Sequence, residues 1–175
     1  VTLVNNRLVA NYMEPRVCTA EYDAKSRQYL LTLGSQGSHG LRDTLARILK
    51  EKPEKIRVVT PDVGGGFGNK AFMYREYPLL AKAARVLKKP VCWVQERTEH
   101  FLSCAQGRDN LVTAEMALSK SGRFLAMRVD LKADFGAYLS QYAPYIPYLG
   151  GTMTTGCYDI PQAYFRVRGI YTHTV

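Results

Sequence analysis

The sequence predicts an α+β fold in which mixed sheets pack against helices. Strand-like and helix-like patterns both occur along the chain, but they do not follow a strict β-α-β order. The chain has 175 residues, of which 46% are hydrophobic and 22% charged, and this is an ordinary globular composition that can bury a core. We expect one domain fragment over residues 1–175, with two small lobes at about 1–100 and 101–175 as the alternative.

The first part of the chain predicts a β-hairpin, a helix and a further strand, in that order. The segments Cys18–Asp23 and Gln28–Gly34 flank a polar turn, which is typical of antiparallel strands. Leucine and isoleucine then recur at helical spacing between Ser38, which we expect to cap the helix, and Pro53, which limits its end. Lys55–Thr60 has the apolar pattern of a buried strand.

The second part predicts one more helix and several strands. Tyr74–Lys89 has a helical pattern, with Pro78 tolerated in the first turns. Pro90–Gln95 is typical of a strand, and Asn110–Tyr138 of two long strands around a turn. The Tyr-, Pro- and Gly-rich stretch that follows predicts irregular structure with short helical turns. Phe165–Val175 alternates like a final strand.

The net charge of +9 is compatible with binding nucleic acid or an anionic cofactor. The basic residues are dispersed, however, and the densest runs, Lys50–Lys55 and Leu87–Lys89, contain no interleaved aromatic residues. We therefore expect a solvated basic surface and no nucleic-acid partner. No apolar run is long enough to span a bilayer, so we also expect no membrane association.

The four cysteines are far apart and form no C-x-x-C pair, which argues against zinc-ribbon and iron–sulfur sites. No signal peptide is recognisable, so we predict reduced thiols in a cytoplasmic protein. The cysteines are Cys18, Cys92, Cys104 and Cys157.

A glycine-rich loop lies within Val58–Phe72, VVTPDVGGGFGNKAF. Strand, glycine loop and helix in succession are typical of anion-binding sites, because main-chain N–H groups can approach a ligand that no Cβ obstructs. The loop is not a Walker A motif, because Ala71 follows Lys70, and Asn69 interrupts the dinucleotide-binding fingerprint. We expect an anion-binding loop of another kind; a tight turn without a ligand is the alternative.

Six short motifs, in this order and spacing, resemble the molybdenum-cofactor-binding large subunit of the xanthine dehydrogenase/aldehyde oxidase family, and most of all its carbon monoxide dehydrogenase-like branch. The resemblance runs over essentially the whole chain. The motifs are MEPR (Met13–Arg16), GSQGSHGLRDTLARIL (Gly34–Leu49), TPDVGGGFGNK (Thr60–Lys70), ERTEHF (Glu96–Phe101), GRDN (Gly107–Asn110) and ADFGAYLS (Ala133–Ser140). Within the first, we expect Glu14 and Arg16 to pair with each other or with partners elsewhere.

The resemblance implies a molybdenum ion held by a pterin dithiolene, either as plain molybdopterin or in its cytosine dinucleotide form, with no direct protein ligand. It implies cofactor contacts by Gln36, whose amide faces an oxo ligand, and by Gly65, Gly66, Phe67 and Gly68, with Gln36 and Phe67 adjacent to molybdenum. No catalytic residue is expected within this chain, because the family's catalytic glutamate lies near the end of the full subunit.

The family oxidises small molecules such as carbon monoxide, aldehydes or N-heterocycles with water as the oxygen source. The implied partners are the remainder of the large subunit and subunits carrying iron–sulfur clusters and FAD. Exposed apolar surface where that remainder would dock also predicts self-association into a homo-oligomer. Ala71 stands where xanthine-oxidising members carry a glutamate, which argues against xanthine. We expect the fragment alone to be inactive. The alternative is a cofactor-free binding or assembly module that uses the basic surface.

Overall fold

The computed structural model describes residues 1–174, which form two compact units. One unit is residues 9–105; the other joins residues 1–8 to the chain from residue 106 onward. Each unit contains a four-stranded sheet with both parallel and antiparallel pairs, which confirms the predicted α+β class. Within the described residues, no helix is long and apolar enough to cross a membrane.

The strands and helices are numbered in chain order. The strands are β1 (Thr2–Asn5), β2 (Val17–Asp23), β3 (Gln28–Leu33), β4 (Ile56–Val59), β5 (Val91–Val94), β6 (Asn110–Leu118), β7 (Phe124–Gly136) and β8 (Gln162–Tyr171). The helices are α1 (Ser38–Leu49), α2 (Glu76–Leu87), α3 (Arg97–Ser103) and α4 (Tyr145–Gly150).

The sheet of residues 9–105 has the order β4-β3-β2-β5. The β2–β3 hairpin is confirmed: the two strands are antiparallel, and the Asp23 carboxylate accepts the N–H groups of Lys25 and Ser26 in the turn. β3 and β4 are parallel, with α1 as the crossover between them. Alternate residues of β2 and β3 are buried against α1 and α2, where Ala81 and Ala84 allow close packing.

The helix ends differ in part from expectation. α1 begins at Ser38, but Gly37 is its N-cap and no side chain caps it, so the predicted Ser38 cap is wrong. Pro78 lies in the first turn of α2, as expected, because its missing N–H has no intrahelical partner there. α3 was not predicted; Glu96 and Glu99 form a capping box, a pattern usually started by Ser or Thr rather than Glu.

The sheet of the second unit has the order β1-β6-β7-β8. β6 and β7 form the predicted long hairpin, whereas the short β1 was not predicted. β8 pairs in parallel with β7, and a Cβ at Gly169 would lie 2.2 Å from the Phe135 ring, so only glycine fits there. The expected helical turns are α4 and a 3₁₀ turn at Gly151–Met153. The predicted final strand extends to Val175, which lies outside the described residues.

Candidate cofactor-binding site

The glycine loop and Gln36 meet because two parallel strands end at the same edge of the sheet. β3 and β4 run in register from Tyr29–Ile56 to Thr32–Val59, so the segments that follow them leave the sheet side by side. Ser35 follows β3 and Thr60 follows β4, and their hydroxyl oxygens are 2.6 Å apart. Topology therefore places Gln36 against the loop despite the long separation in sequence.

The Gln36 side chain is held by the main chain of the loop. Its Oε1 accepts the N–H of Gly68 at 2.9 Å and the N–H of Lys70 at 3.1 Å. The Gln36 N–H in turn donates to the Lys70 carbonyl at 3.1 Å. Two N–H donors fix the oxygen end of the amide towards the loop. Because the residue is exposed, its Nε2 donor end is left for a group outside the loop.

Gly66 has no room for a side chain. A Cβ at this position would lie 2.6 Å from Oε1 and 2.9 Å from Cδ of Gln36. The Gly66 carbonyl also accepts the Asn69 N–H at 2.8 Å, which closes the turn of the loop. The glycine thus lets the Gln36 amide lie directly on the loop backbone.

Phe67 has an unusual backbone and an exposed ring. Its φ is +48°, in the left-handed region that non-glycine residues rarely adopt, and 79% of the residue is exposed. The next residue, Gly68, is also left-handed, with φ +93°. A strained, exposed aromatic residue at the tip of a tightly bonded loop is typical of a functional site.

An ion pair beneath the loop joins a buried lysine to a carboxylate that is about a third exposed. Lys70 is only 1% exposed, and its Nζ donates to Oε2 of Glu14. The same Oε2 accepts the Gly64 N–H at 3.0 Å. Burial tends to raise the pKa of Glu14, but the hydrogen bonds from Lys70 and Gly64 and the lysine charge together hold this pKa below its ordinary value. The carboxylate form of Glu14 is thereby favoured.

Arg16, in the same MEPR motif, pairs elsewhere. Its guanidinium bonds to Glu76 at the start of α2 at 3.1 Å and stacks on Tyr74 at 3.5 Å from the ring centroid. Glu14 and Arg16 therefore do not pair with each other; both have partners elsewhere in the fold. The pairing anchors the MEPR segment to α2.

Asn69 carries a buried hydrogen-bond donor that has no acceptor among the described residues. The residue is 5% exposed, and its Oδ1 accepts the Tyr74 hydroxyl at 3.3 Å. Its Nδ2 has no hydrogen-bond partner among residues 1–174. Such an atom in a native site usually has a water or ligand nearby.

A buried polar cluster of Tyr12, His100 and Cys104 adjoins Lys70, whose Nζ lies 4.8 Å from the centre of the Tyr12 ring. His100 Nε2 lies 3.0 Å from the Ala10 carbonyl and so donates, which leaves Nδ1 to accept from the Cys104 thiol at 3.1 Å. Burial lowers the pKa of His100, partly opposed by the Ala10 bond, and raises that of Tyr12. Both side chains are therefore neutral at neutral pH.

The donor chemistry of the loop fits an electron-rich ligand. The outward groups are the Gln36 Nε2 and loop main chain, while the nearby Glu14 carboxylate is occupied by Lys70 and Gly64. An oxo group or a pterin phosphate tail is an acceptor of this kind, and the open space at Gly68, where a Cβ would meet nothing within 4 Å, gives close access to the loop backbone. Within residues 1–174, no three His, Cys, Asp or Glu residues group together to hold a metal.

Comparison with known proteins agrees with this chemistry. The family described as Molybdopterin cofactor-binding domain matches residues 1–175. The chain is 37% identical over 159 residues to the carbon monoxide dehydrogenase large chain of Hydrogenophaga pseudoflava, covering 89% of this chain and 20% of that protein. It is 32% identical over 170 residues to the nicotine 6-hydroxylase large subunit of Paenarthrobacter nicotinovorans, covering 95% and 21%.

Solved structures show the same fold. Quinoline 2-oxidoreductase from Pseudomonas putida 86 superposes with a TM-score of 0.88 at 28% identity, over 99% of this chain and 23% of that one. Carbon monoxide dehydrogenase from Oligotropha carboxidovorans gives 0.87 at 33% identity, over 100% and 22%.

The fold and the loop define a cofactor-binding domain. The chain belongs to the molybdopterin cofactor-binding domain of the large subunits of the xanthine dehydrogenase/aldehyde oxidase family, which confirms the predicted family. It spans about a fifth of the length of the curated relatives it matches.

The structure brings the predicted site residues together. Gln36, Gly66 and Gly68 are in direct contact, and Gly65 and Phe67 belong to the same loop. Their contact with the cofactor stays a prediction. Sequence reasoning missed the Glu14–Lys70 pair, although both residues lie in quoted motifs, because nothing in the sequence joins positions 56 residues apart.

Proposed function

We propose that this chain is the part of a molybdenum hydroxylase large subunit that holds pterin-bound molybdenum against Gln36 and the glycine loop. One observation carries the proposal: the loop amides of Gly68 and Lys70 bind Gln36 Oε1, which leaves the Nε2 donor of this exposed residue for a group outside the loop. Such a neutral, preoriented donor stabilises an electron-rich oxygen without adding charge to the site.

Each loop residue then has a distinct role. Gln36 donates from Nε2 to an oxygen of the cofactor, and the main chain at Gly65, Gly66 and Gly68 approaches the cofactor closely. Phe67 forms an apolar wall that limits water at the reaction centre, which accounts for an exposed aromatic residue held at positive φ. No residue of this chain acts as a proton donor or acceptor to the substrate in this proposal.

When bound, the molybdenum cofactor supplies a two-electron oxidation that uses oxygen from water. The substrate class we propose is a small molecule: carbon monoxide, an aldehyde or an N-heterocycle. Relatives named for carbon monoxide, nicotine and aldehydes support this range. Ala71 offers no carboxylate beside the loop, and we therefore propose that xanthine is a poor substrate.

The proposed assembly follows the same family. The remainder of the large subunit completes the site, electrons pass to iron–sulfur clusters and FAD on partner subunits, and the large subunit forms a homo-oligomer. The cofactor is proposed in the cytosine dinucleotide form, and residues 1–175 alone are proposed to be inactive. The four cysteines are free thiols, which fits the proposed cytoplasmic location.

The test is a substrate panel on the cofactor-loaded enzyme with its partner subunits. Carbon monoxide, an aldehyde, quinoline and xanthine are each supplied in ¹⁸O-labelled water with an artificial electron acceptor. We expect oxidation of at least one of the first three, with ¹⁸O in the product, and little turnover of xanthine. A loaded enzyme that oxidises none of them, or takes its oxygen from O₂, contradicts the proposal.

A cofactor-free binding module is the less supported alternative. The β6–β7–β8 face has a groove of about 510 Å³ whose basic residues would attract an anion; they are Arg128, Lys132, Arg166 and Arg168. Asp130 and Glu115 already pair with three of them, however. Salt-dependent oligonucleotide binding by cofactor-free protein, unchanged by Gln36→Ala, would favour this alternative.

A further inference from the structure

Lys70 is connected to Gln36 through its main chain and to Glu14 through its side chain. Its N–H donates to Gln36 Oε1 at 3.1 Å, and its carbonyl accepts the Gln36 N–H at 3.1 Å. Its buried Nζ bonds to Glu14 Oε2. A shift of Lys70 would therefore move the glutamine amide.

Glu14 joins the two ends of the glycine loop. One carboxylate oxygen, Oε2, accepts from Lys70 Nζ at one end and from the Gly64 N–H at the other, the latter at 3.0 Å. The Glu14 N–H also donates to the Gly64 carbonyl at 3.2 Å. The loop is thus closed by a single side chain from the MEPR segment.

Two glycines, Gly34 and Gly64, pack closely against the ion pair. A Cβ at Gly34 would lie 3.1 Å from Glu14 Oε2 and 3.3 Å from Lys70 Nζ, and a Cβ at Gly64 would lie 2.5 Å from Glu14 Cβ. Because a buried lysine charge is costly without its partner, this packing leaves Lys70 one favourable arrangement. The pair can therefore set the loop before any ligand arrives.

We propose that the Glu14–Lys70 pair is a positioning clamp that presents Gln36 and the glycine loop to the cofactor. The inference rests on the proposed function, since it concerns the same site. Neither residue touches the reacting atoms; both act through Gln36 and the loop backbone. A preformed loop loses less conformational freedom on binding, so the clamp increases retention of the cofactor.

The test compares Lys70→Met and Glu14→Gln in the complete large subunit. Lys70→Met removes the charge at similar side-chain length and leaves Glu14, which is about a third exposed, partly solvated. Lys55→Met and Glu51→Gln are the matched controls, because Lys55 donates to Ser26 O and Glu51 pairs with Arg85 away from the loop.

Two readouts are used. Hydrogen exchange of the Gly68 and Lys70 amides is measured in subunit made without cofactor, with the amides of α1 and α2 as a control for folding. Molybdenum and pterin retained after dialysis are measured in subunit made with cofactor. We expect faster exchange confined to the loop and about tenfold less retained cofactor in both variants, but not in the controls.

A double variant separates positioning from a general structural role. Because part of the clamp's effect passes through Gln36, Lys70→Met combined with Gln36→Ala is expected to lose less cofactor than the two single losses added together. Additive losses overturn the proposal, and so do normal loop exchange and full loading in Lys70→Met. Faster exchange of the helix amides would show that a single variant loses its fold in general. The variant Glu14→Gln/Lys70→Met, which buries no unpaired charge, then tests the clamp by the same two readouts. A wild type without cofactor contradicts the proposed function instead, while loop exchange still tests the clamp.

Discussion

Gly66 shows at the scale of one residue why the loop sequence is restricted. Its backbone is not in the left-handed region, so the only obstacle to a side chain is the Gln36 amide, 2.6 Å from where a Cβ would lie. We expect Gly66→Ala to displace the exposed Gln36 amide and to lower the free energy of unfolding of the 175-residue chain by about 1 kcal/mol, because the hydrogen bonds that Oε1 accepts are lost. Urea unfolding measures this change.

Gly107→Ala is the control for this steric effect. A Cβ at Gly107 meets nothing within 4 Å and the residue caps no helix, so we expect a change within about 0.5 kcal/mol. Equal losses in the two variants would contradict the close packing of Gln36 on Gly66.

His100 gives the fold a dependence on pH. Burial and the positive charges of Arg97, Arg16 and Lys70 lower its folded-state pKa, while the Ala10 bond raises it less. The unfolded chain binds a proton at the ordinary pKa of about 6.5, so the free energy of unfolding falls as pH drops below this value and on through the lower folded-state pKa. Unfolding measured from pH 8 to pH 5 checks this.

The comparison for this prediction is between two histidine variants. His100→Gln is expected to flatten the pH dependence, and His39→Gln, at the exposed start of α1, to leave it unchanged. A wild-type chain equally stable across this range would show that His100 protonation is not linked to folding.

Sequence reasoning reached the residues of the loop but not what holds them. The glycine loop stood out by its own pattern, which is typical of anion binding, whereas Gln36 was reached only through the resemblance to the family's motif. The Glu14–Lys70 pair and the orphan Nδ2 of Asn69 arise only from folding, which brings together residues distant in sequence.

At the scale of elements, α1 contains a glycine with no structural need. Gly40 lies in its first turn, is exposed, and a Cβ there meets no atom within 4 Å. We expect Gly40→Ala to raise the free energy of unfolding by about 0.4–1 kcal/mol, because alanine restricts the unfolded chain.

Gly68 has equally open space around it, but its φ is +93°. We therefore expect Gly68→Ala to destabilise the fold, since alanine rarely adopts this conformation. A higher free energy of unfolding for Gly68→Ala, measured in urea, would contradict the left-handed conformation at this position.

Elements with strong periodicity were predicted well, and those defined by pairing or caps were not. α2 and the β6–β7 hairpin have long amphipathic or alternating patterns. β1 is four residues long and all four residues are exposed, so only its pairing with β6 makes it a strand. The parallel ends of β3 and β4, which create the site, depend on topology that periodicity does not encode.

At the scale of the whole molecule, a contiguous segment exposes large apolar side chains. Within α4, Ile146, Tyr148 and Leu149 are all more than half exposed, and the helix has no buried residue. Patches of this kind promote association. We expect the 175-residue chain to self-associate with increasing concentration in sedimentation velocity, and Ile146→Asp/Leu149→Asp to shift it towards monomer. A wild-type chain that stays monomeric at high concentration would contradict this.

Family membership could be predicted because six motifs keep their order over the whole chain, whereas substrate and partners could not. Those properties depend on surfaces that the rest of the relatives' length supplies, since this chain spans only about a fifth of it. Ala71 argues against xanthine in the proposal above and selects no other substrate.

Cofactor content of the complete large subunit tests the central claim most directly. Wild type, Gln36→Ala, Gly66→Val and the control Gln28→Ala, an exposed glutamine on β3, are purified from a host that makes the cofactor. Molybdenum and pterin are measured per protein. The account predicts near-stoichiometric content in wild type and control and about tenfold less in the two site variants. A folded wild type without either component, or equal content in all four proteins, would contradict it.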